Sequence, residues 1–329
     1  MRHKAATALL GLGAFLLALA VLVPTVVRPA LLKAPATIDL TTHSRSEAQR
    51  LDSATNELET VTVDLTRRLT THAASESRFA GNGDTAVYDE LLNLAEVGPD
   101  GDVDTVGPDG EYTGLRAGAS VVAFDRRTGK GVPGFQGDTW ETSGQTVKFP
   151  FDTQRTTHEY YDQTSRQAWP VVFERRTTVL GLEVYEFRGT VPELELGQYG
   201  VLEGTETIYS NTGRTVLVEP VTGSIVSSTT SPQTSIRFPD GTVRPALLVD
   251  ELVPTEETLA DRVAEAEDSK RSAQLLQRAP WLLGLLGLLL VVAGLVLRRR
   301  RPTGDAGEDD DDLLPASSRP VTRGAHARP

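Results

Sequence analysis

Two long apolar runs bracket this chain, and a polar stretch separates them. Ala5 to Val27 carries no charge. At about 1.5 Å per residue, a helix of that length crosses roughly 30 Å of hydrocarbon. Ala279 to Leu297 is a second uncharged run, rich in Leu, Gly and Val. Core helices of globular proteins seldom run so far without one charge, so both runs are predicted as transmembrane helices. Arg2 and Lys4 precede the first, and Arg298, Arg299, Arg300 and Arg301 close the second. Trp281 stands near the start of the second, where an indole suits the headgroup layer.

The flanking cations set an expected topology. By the positive-inside rule, residues 1–4 and 298–329 lie in the cytoplasm and the middle lies outside a plasma membrane crossed twice. The first run reads as an uncleaved anchor. It exceeds the roughly 7–15 residues of a signal-peptide core, and the small-residue sequence Ala34-Pro35-Ala36 lies well beyond it.

Between the runs the pattern turns to strands. Residues 28–56 are polar and weakly patterned, and read as a stalk with some helix near Glu47 to Leu58. Val61, Val63 and Leu65 then alternate with polar residues, the period of a half-buried strand. Ala86–Leu94 is a short mixed segment, and 97–118 is turn-rich. Further strands are predicted over 171–180, 182–191, 201–209, 234–238 and 243–249, with Gly181 setting up a hairpin between the first two. Two units look alike: Val121 to Gly129, and Val216 through Thr222-Gly223 to Val226. Each reads as strand, Thr-Gly turn, strand, with Gly supplying the positive φ of a tight turn.

After residues 57–254, the β-rich domain, the period changes again. Thr255 followed by Glu256 and Glu257 reads as a helix start, with Thr as cap and acids in the first turn. The apolar stripe of Leu259, Val263, Ala266 and Ala273 is narrow, so residues 255–278 read as a membrane-proximal spacer helix, with a break at Pro280 in prospect. The fold class expected is membrane-anchored α+β: a β-rich extracytoplasmic domain between two terminal transmembrane helices.

Composition narrows the chemistry. With no cysteine in 329 residues there is no disulfide, thiolate metal site or cysteine nucleophile. The net charge is −12, and most of it falls between the helices, which argues against nucleic acid as a partner. Arginine outnumbers lysine, as in proteins of high-GC genomes. The tail carries Glu308-Asp309-Asp310-Asp311-Asp312 and Pro/Ser-rich sequence that cannot bury a core, so 298–329 is expected to be disordered.

Candidate sites are sparse. His3, His43, His72, His158 and His326 make no metal-ligand spacing, and there is no nucleophile elbow, phosphate loop or zincin helix. Asp100, Asp102 and Asp104 are spaced like the first ligands of a calcium loop, with Glu111 at the twelfth place. Thr105 stands where such a loop needs Gly, and Gly-Pro-Asp-Gly occurs at 98–101 and again at 107–110. Ordinary turns therefore explain these acids, with a weak calcium site as the alternative. No cofactor is implied. The aromatic stretch from Phe149 through Tyr160 and Tyr161 to Trp169 reads as core packing, with a ligand-facing platform as the alternative.

The layout resembles an actinobacterial membrane-protein family of unknown function, labelled porin PorA-like. The resemblance rests on the two terminal helices, on Phe149-Pro150-Phe151-Asp152-Thr153 with Tyr160-Tyr161-Asp162, and on Val218-Glu219-Pro220-Val221-Thr222-Gly223. It carries over no catalytic residues. The arrangement is also similar to that of class B scavenger receptors, which have an anchor at each end and a β-rich lipid-passing ectodomain.

Three functions follow as expectations. The first is a non-enzymatic cell-envelope protein whose ectodomain binds or relays a lipid, an envelope glycan or a protein at the membrane's outer face. The second is an oligomeric channel, with Gly284, Gly287 and Gly294 allowing helices to approach closely. The third is an exported hydrolase that uses carboxylates alone.

Overall fold

A computed structural model describes residues 2–52, 54–71, 83–98, 100–101, 103, 114–132, 142–200 and 202–299. The chain opens with α1 (Arg2–Leu22), a π turn (Val23–Val27) and α2 (Arg28–Leu31). Pro24 lacks the N–H that a regular ladder would use, and the wider π turn carries the helix past it. The helical run thus continues past Pro24 to Leu31.

Eleven strands then build one sheet: β1 (Asp39–Leu51), β2 (Leu58–Thr71), β3 (Thr85–Glu96), β4 (Arg116–Asp125), β5 (His158–Asp162), β6 (Gln167–Val179), β7 (Leu182–Glu195), β8 (Glu206–Glu219), β9 (Ser224–Arg237), β10 (Val243–Val249) and β11 (Val253–Pro254). The spatial order is β4-β3-β2-β1-β10-β9-β8-β7-β6-β5, with β11 beside β1. The two edge strands are not left open. Phe124 bridges Gly131, Lys130 bridges Gln145, and Gln145 bridges Tyr160 of β5, so residues 129–132 and 144–146 join the edges. Such closure removes unpaired edges that would otherwise template aggregation.

β1 corrects the stalk expectation. Residues 39–51 pair along their whole length with β2, from Asp39 opposite Thr70 to Leu51 opposite Leu58. Neither helix nor stalk forms there. The strand lacks an apolar alternation because one face carries Thr41, His43, Arg45 and Glu47, and the other carries Thr42 and Ser44 beside an internal cavity. The hairpin at Gly181 forms as its residues predict: Leu180 (φ 45°) and Gly181 (φ 91°) make a two-residue turn between β6 and β7. The strand expected over 234–238 belongs to the longer β9, and the mixed segment at 86–94 belongs to β3.

α3 (Glu256–Arg299) runs unbroken for 44 residues, straight through Pro280. Thr255 caps it, with its Oγ1 accepting from the Thr258 N–H at 3.3 Å. Its first half is no solvated spacer. Val263 and Ala266 are buried against Leu182, Val184 and Val226. The stripe is narrow because its small residues let the helix lie close to the strands.

α1 and α3 pack antiparallel. Ala20 lies by Gly284, Leu17 by Gly287, and Leu10 by Gly294. A Cβ on Gly13 would meet the Gly287 carbonyl oxygen at 2.8 Å, so the glycines set the helix spacing. Both helices are long and apolar enough to cross a membrane.

Candidate functional site: a chamber inside the curved sheet

Register decides what the inside of the sheet contains. Leu40, Thr42 and Ser44 of β1 face Leu69, Arg67 and Leu65 of β2, and these in turn face Glu90, Leu92 and Leu94 of β3. Residues opposite one another share a face, so this set forms one wall. Apolar clusters flank it. At one end Tyr88 and Phe124 meet edge to face at 5.0 Å, packed with Val122, Ala34 and Ile38. At the other, Ala48, Val63, Leu94, Val249 and Leu252 pack together. Residues of both clusters line a cavity of about 800 Å³.

α3 closes the cavity's side. Thr258, Arg262, Glu265, Ser269, Ser272 and Leu276 all line it. From Thr258 to Leu276 the helix rises about 27 Å. The cavity therefore reaches from the domain's far end down to Leu276, Leu31 and Leu32, beside the apolar helical pair. Arg126 ties this lower region together, donating from Nε to the Ala34 carbonyl at 2.7 Å and from Nη1 to the Gly83 carbonyl at 2.9 Å.

Within apolar walls sit two paired charges. Arg67 Nε donates to Glu90 Oε1 at 2.5 Å, and Gln163 Nε2 donates to the other Glu90 oxygen. Glu90 is 1% exposed, so the pairing offsets a large desolvation cost. On the opposite side Asp162 accepts from Arg214, from Tyr209 Oη at 3.0 Å and from the Ser165 N–H at 2.7 Å. Burial, with Asp162 beside it, pushes the Tyr209 phenol well above its usual range. Burial also pushes Tyr88 up to about 12, and its hydroxyl donates to the Pro35 carbonyl. Arg262, another lining cation, is pulled down by burial and donates from Nη2 to the Ile225 carbonyl at 3.0 Å. The chamber suits an apolar body with a small polar group.

The sequence pointed to few of these residues. Arg67 and Glu90 stand on neighbouring strands and Asp162 and Arg214 on distant ones, so no local spacing links them. The Tyr160-Tyr161-Asp162 segment does line the chamber. Phe149, its aromatic neighbour in sequence, is core: it stacks on Phe187 at 5.1 Å and is fully buried. Of the calcium candidates, Asp100 lies in a turn, while Asp102, Asp104 and Glu111 lie outside the described residues. Among the described residues no group of His, Cys, Asp and Glu is arranged to hold a metal. Lys4 lies in α1, and Trp281, Arg298 and Arg299 lie in α3, which runs two residues into the expected tail. Arg2 lies in α1, and Arg300 and Arg301 fall outside the described residues.

The outward face of β1 and β2 is polar. Thr41, His43, Arg45 and Glu47 face Arg68, Thr66, Asp64 and Thr62. A lipid-facing barrel wall would carry apolar residues there. A sequence model of the family described as Porin PorA matches residues 5–296. No curated protein matches the chain.

Proposed function

The chain belongs to the PorA porin family of membrane proteins, and on that premise we propose that it is a non-enzymatic envelope protein whose β domain holds a lipid in its internal chamber. The observation that carries this reading is the cavity of about 800 Å³ that descends along α3 to Leu276 and Leu31. Its volume falls within the roughly 300–1,000 Å³ of small-molecule sites. Its walls are leucine-rich, and its lower end meets the two helices that are apolar enough to lie in a bilayer. Glu90 and Asp162, carboxylates inside it, are each engaged by an arginine, which favours holding a ligand over acid–base chemistry. The domain would face outward from a plasma membrane crossed twice. The antiparallel helix pair supports this, since it puts both of its outer ends on one side.

The family match favours a second reading, an oligomeric channel. A single chain offers little for a pore. Its helix pair is closed by glycine contacts, and Leu12, Phe15, Leu285, Leu288 and Leu289 are exposed on it. The polar outside of β1 and β2 is equally unsuited to lipid.

The test uses the full chain, purified in detergent and in nanodiscs, with native mass spectrometry for bound lipid. One retained lipid per chain, lost when Leu92→Trp fills the chamber, is expected. Lipid-free protein that conducts ions in planar bilayers would replace this reading with the channel.

A further inference from the structure

A second cleft, of about 500 Å³, lies between the two helices at the domain end of their apolar runs. Ala20 and Pro24 line one side, and Pro280 and Trp281 line the other. The π turn at Val23–Val27 and Pro280 are both departures from a regular helix ladder, and they border the same gap. Leu276 lines this cleft and also the chamber above, so the two volumes share a wall residue. Trp281 is 80% exposed at the level where α3 meets the apolar run.

One cation lines the cleft. Arg28 Nη2 pairs with Asp152 Oδ2 at 2.9 Å, yet its Nε is buried with no hydrogen-bond partner. Gln277 reaches the other Asp152 oxygen at 3.4 Å, so Asp152 latches the outer ends of both helices. Asp152 itself is held rigidly, at φ 54°, with its N–H bonded to the Val221 carbonyl at 3.1 Å.

We propose that this cleft is the portal through which one phospholipid of the outer leaflet passes sideways into the chamber, with Arg28 taking the lipid phosphate. This deepens the lipid-holding reading and rests on it. An apolar gap at headgroup depth admits acyl chains. A guanidinium beside it, 34% exposed and paired with Asp152 through Nη2, keeps charged donors that phosphate oxygens accept. Leu276 is the threshold between cleft and chamber.

The experiment uses full-length protein in nanodiscs containing a phospholipid with a photoactivatable tail, with crosslinked peptides mapped by mass spectrometry. Wild type should give crosslinks on the peptide that contains Leu92. Arg28→Gln and Leu276→Trp should each reduce them about tenfold. When the same lipid is delivered from cyclodextrin to detergent-solubilised protein, both variants should load like wild type, which also shows that they fold. Variants that load normally from the bilayer would overturn the portal and leave the chamber reading intact. Crosslinks absent from wild type by both routes would overturn both. Glycerol phosphate that abolishes loading at millimolar concentration would show a site for free phosphate and overturn the lipid assignment.

Discussion

Gly129 and Gly223 press on consecutive carbonyls of one segment. They share nearly the same φ, 73° and 75°. A Cβ on Gly129 would fall 2.0 Å from the Lys148 oxygen, and one on Gly223 would fall 2.0 Å from the Phe149 oxygen. Each glycine ends an acid-x-x-Thr-Gly turn. Asp125 Oδ1 accepts from Thr128 N and Oγ1, and Glu219 Oε2 accepts from Thr222 N and Oγ1. The likeness between the two sequence units thus has a spatial cause: they clasp residues 148–150 from two sides.

Replacing either glycine with alanine combines positive-φ strain with backbone overlap. Gly223→Ala and Gly129→Ala should each cost about 3–5 kcal/mol. Gly181→Ala, also at positive φ but with open space around its Cβ site, should cost about 1 kcal/mol. Thermal melts of the three variants in one detergent check the order. Equal losses at all three positions would remove the clasp.

Lys148 predicts a pH dependence. Burial lowers its ammonium from 10.5 to about 7, beside the Phe151 ring at 3.4 Å. Between those values the unfolded chain binds more protons than the folded one. Stability therefore rises with pH across roughly 7 to 10.5, by at most about 1.4 kcal/mol per unit, and the full penalty applies below 7. Lys148→Met should be more stable than wild type at neutral pH, and the difference should shrink toward pH 10. Denaturant midpoints measured along that range test it, and a constant difference would refute it.

The pair Asp162 and Arg214 is buried, at 3% and 9% exposure. Arg214→Met leaves a carboxylate without its cation and should cost about 3–5 kcal/mol. Asp162→Leu combined with Arg214→Met should recover most of the loss. A double variant no better than the single one would mean that the arginine acts through packing.

Helix pairing has an internal control. Gly287→Leu drives a side chain into the Gly13 carbonyl at 2.9 Å and Leu17 at 3.1 Å, whereas Gly11 has nothing within 4 Å. Overpacking at Gly287 should cost about 1–3 kcal/mol, and Gly11→Leu should be neutral. Melting in detergent separates the two.

The terminal helices were legible because a charge-free run is a local signal. The Gly181 hairpin was legible for the same reason, since a turn is written in two adjacent residues. β1 was not, because both of its faces are polar, one toward solvent and one toward a cavity, and the apolar alternation that marks a strand is missing. The chamber was invisible altogether. It is an unfilled volume between residues far apart in sequence, and Arg67 with Glu90 or Asp162 with Arg214 become pairs only once the register is set. The narrow stripe on α3 misled in the opposite sense, because alanines that look too small for a seam permit the closest packing.

Pro280 lies within one helix that is both a wall of the chamber and long and apolar enough to cross a membrane. That helix acts as a lever. From Pro280 to Thr258 it measures about 33 Å, so a swing of roughly 10° about the proline shifts the far end by about 6 Å. Bilayer thickness, lateral tension or a neighbour leaning on the lower half would be felt as a change in chamber width. On the lipid-holding reading, the grip on a bound lipid would be geared mechanically to the state of the membrane.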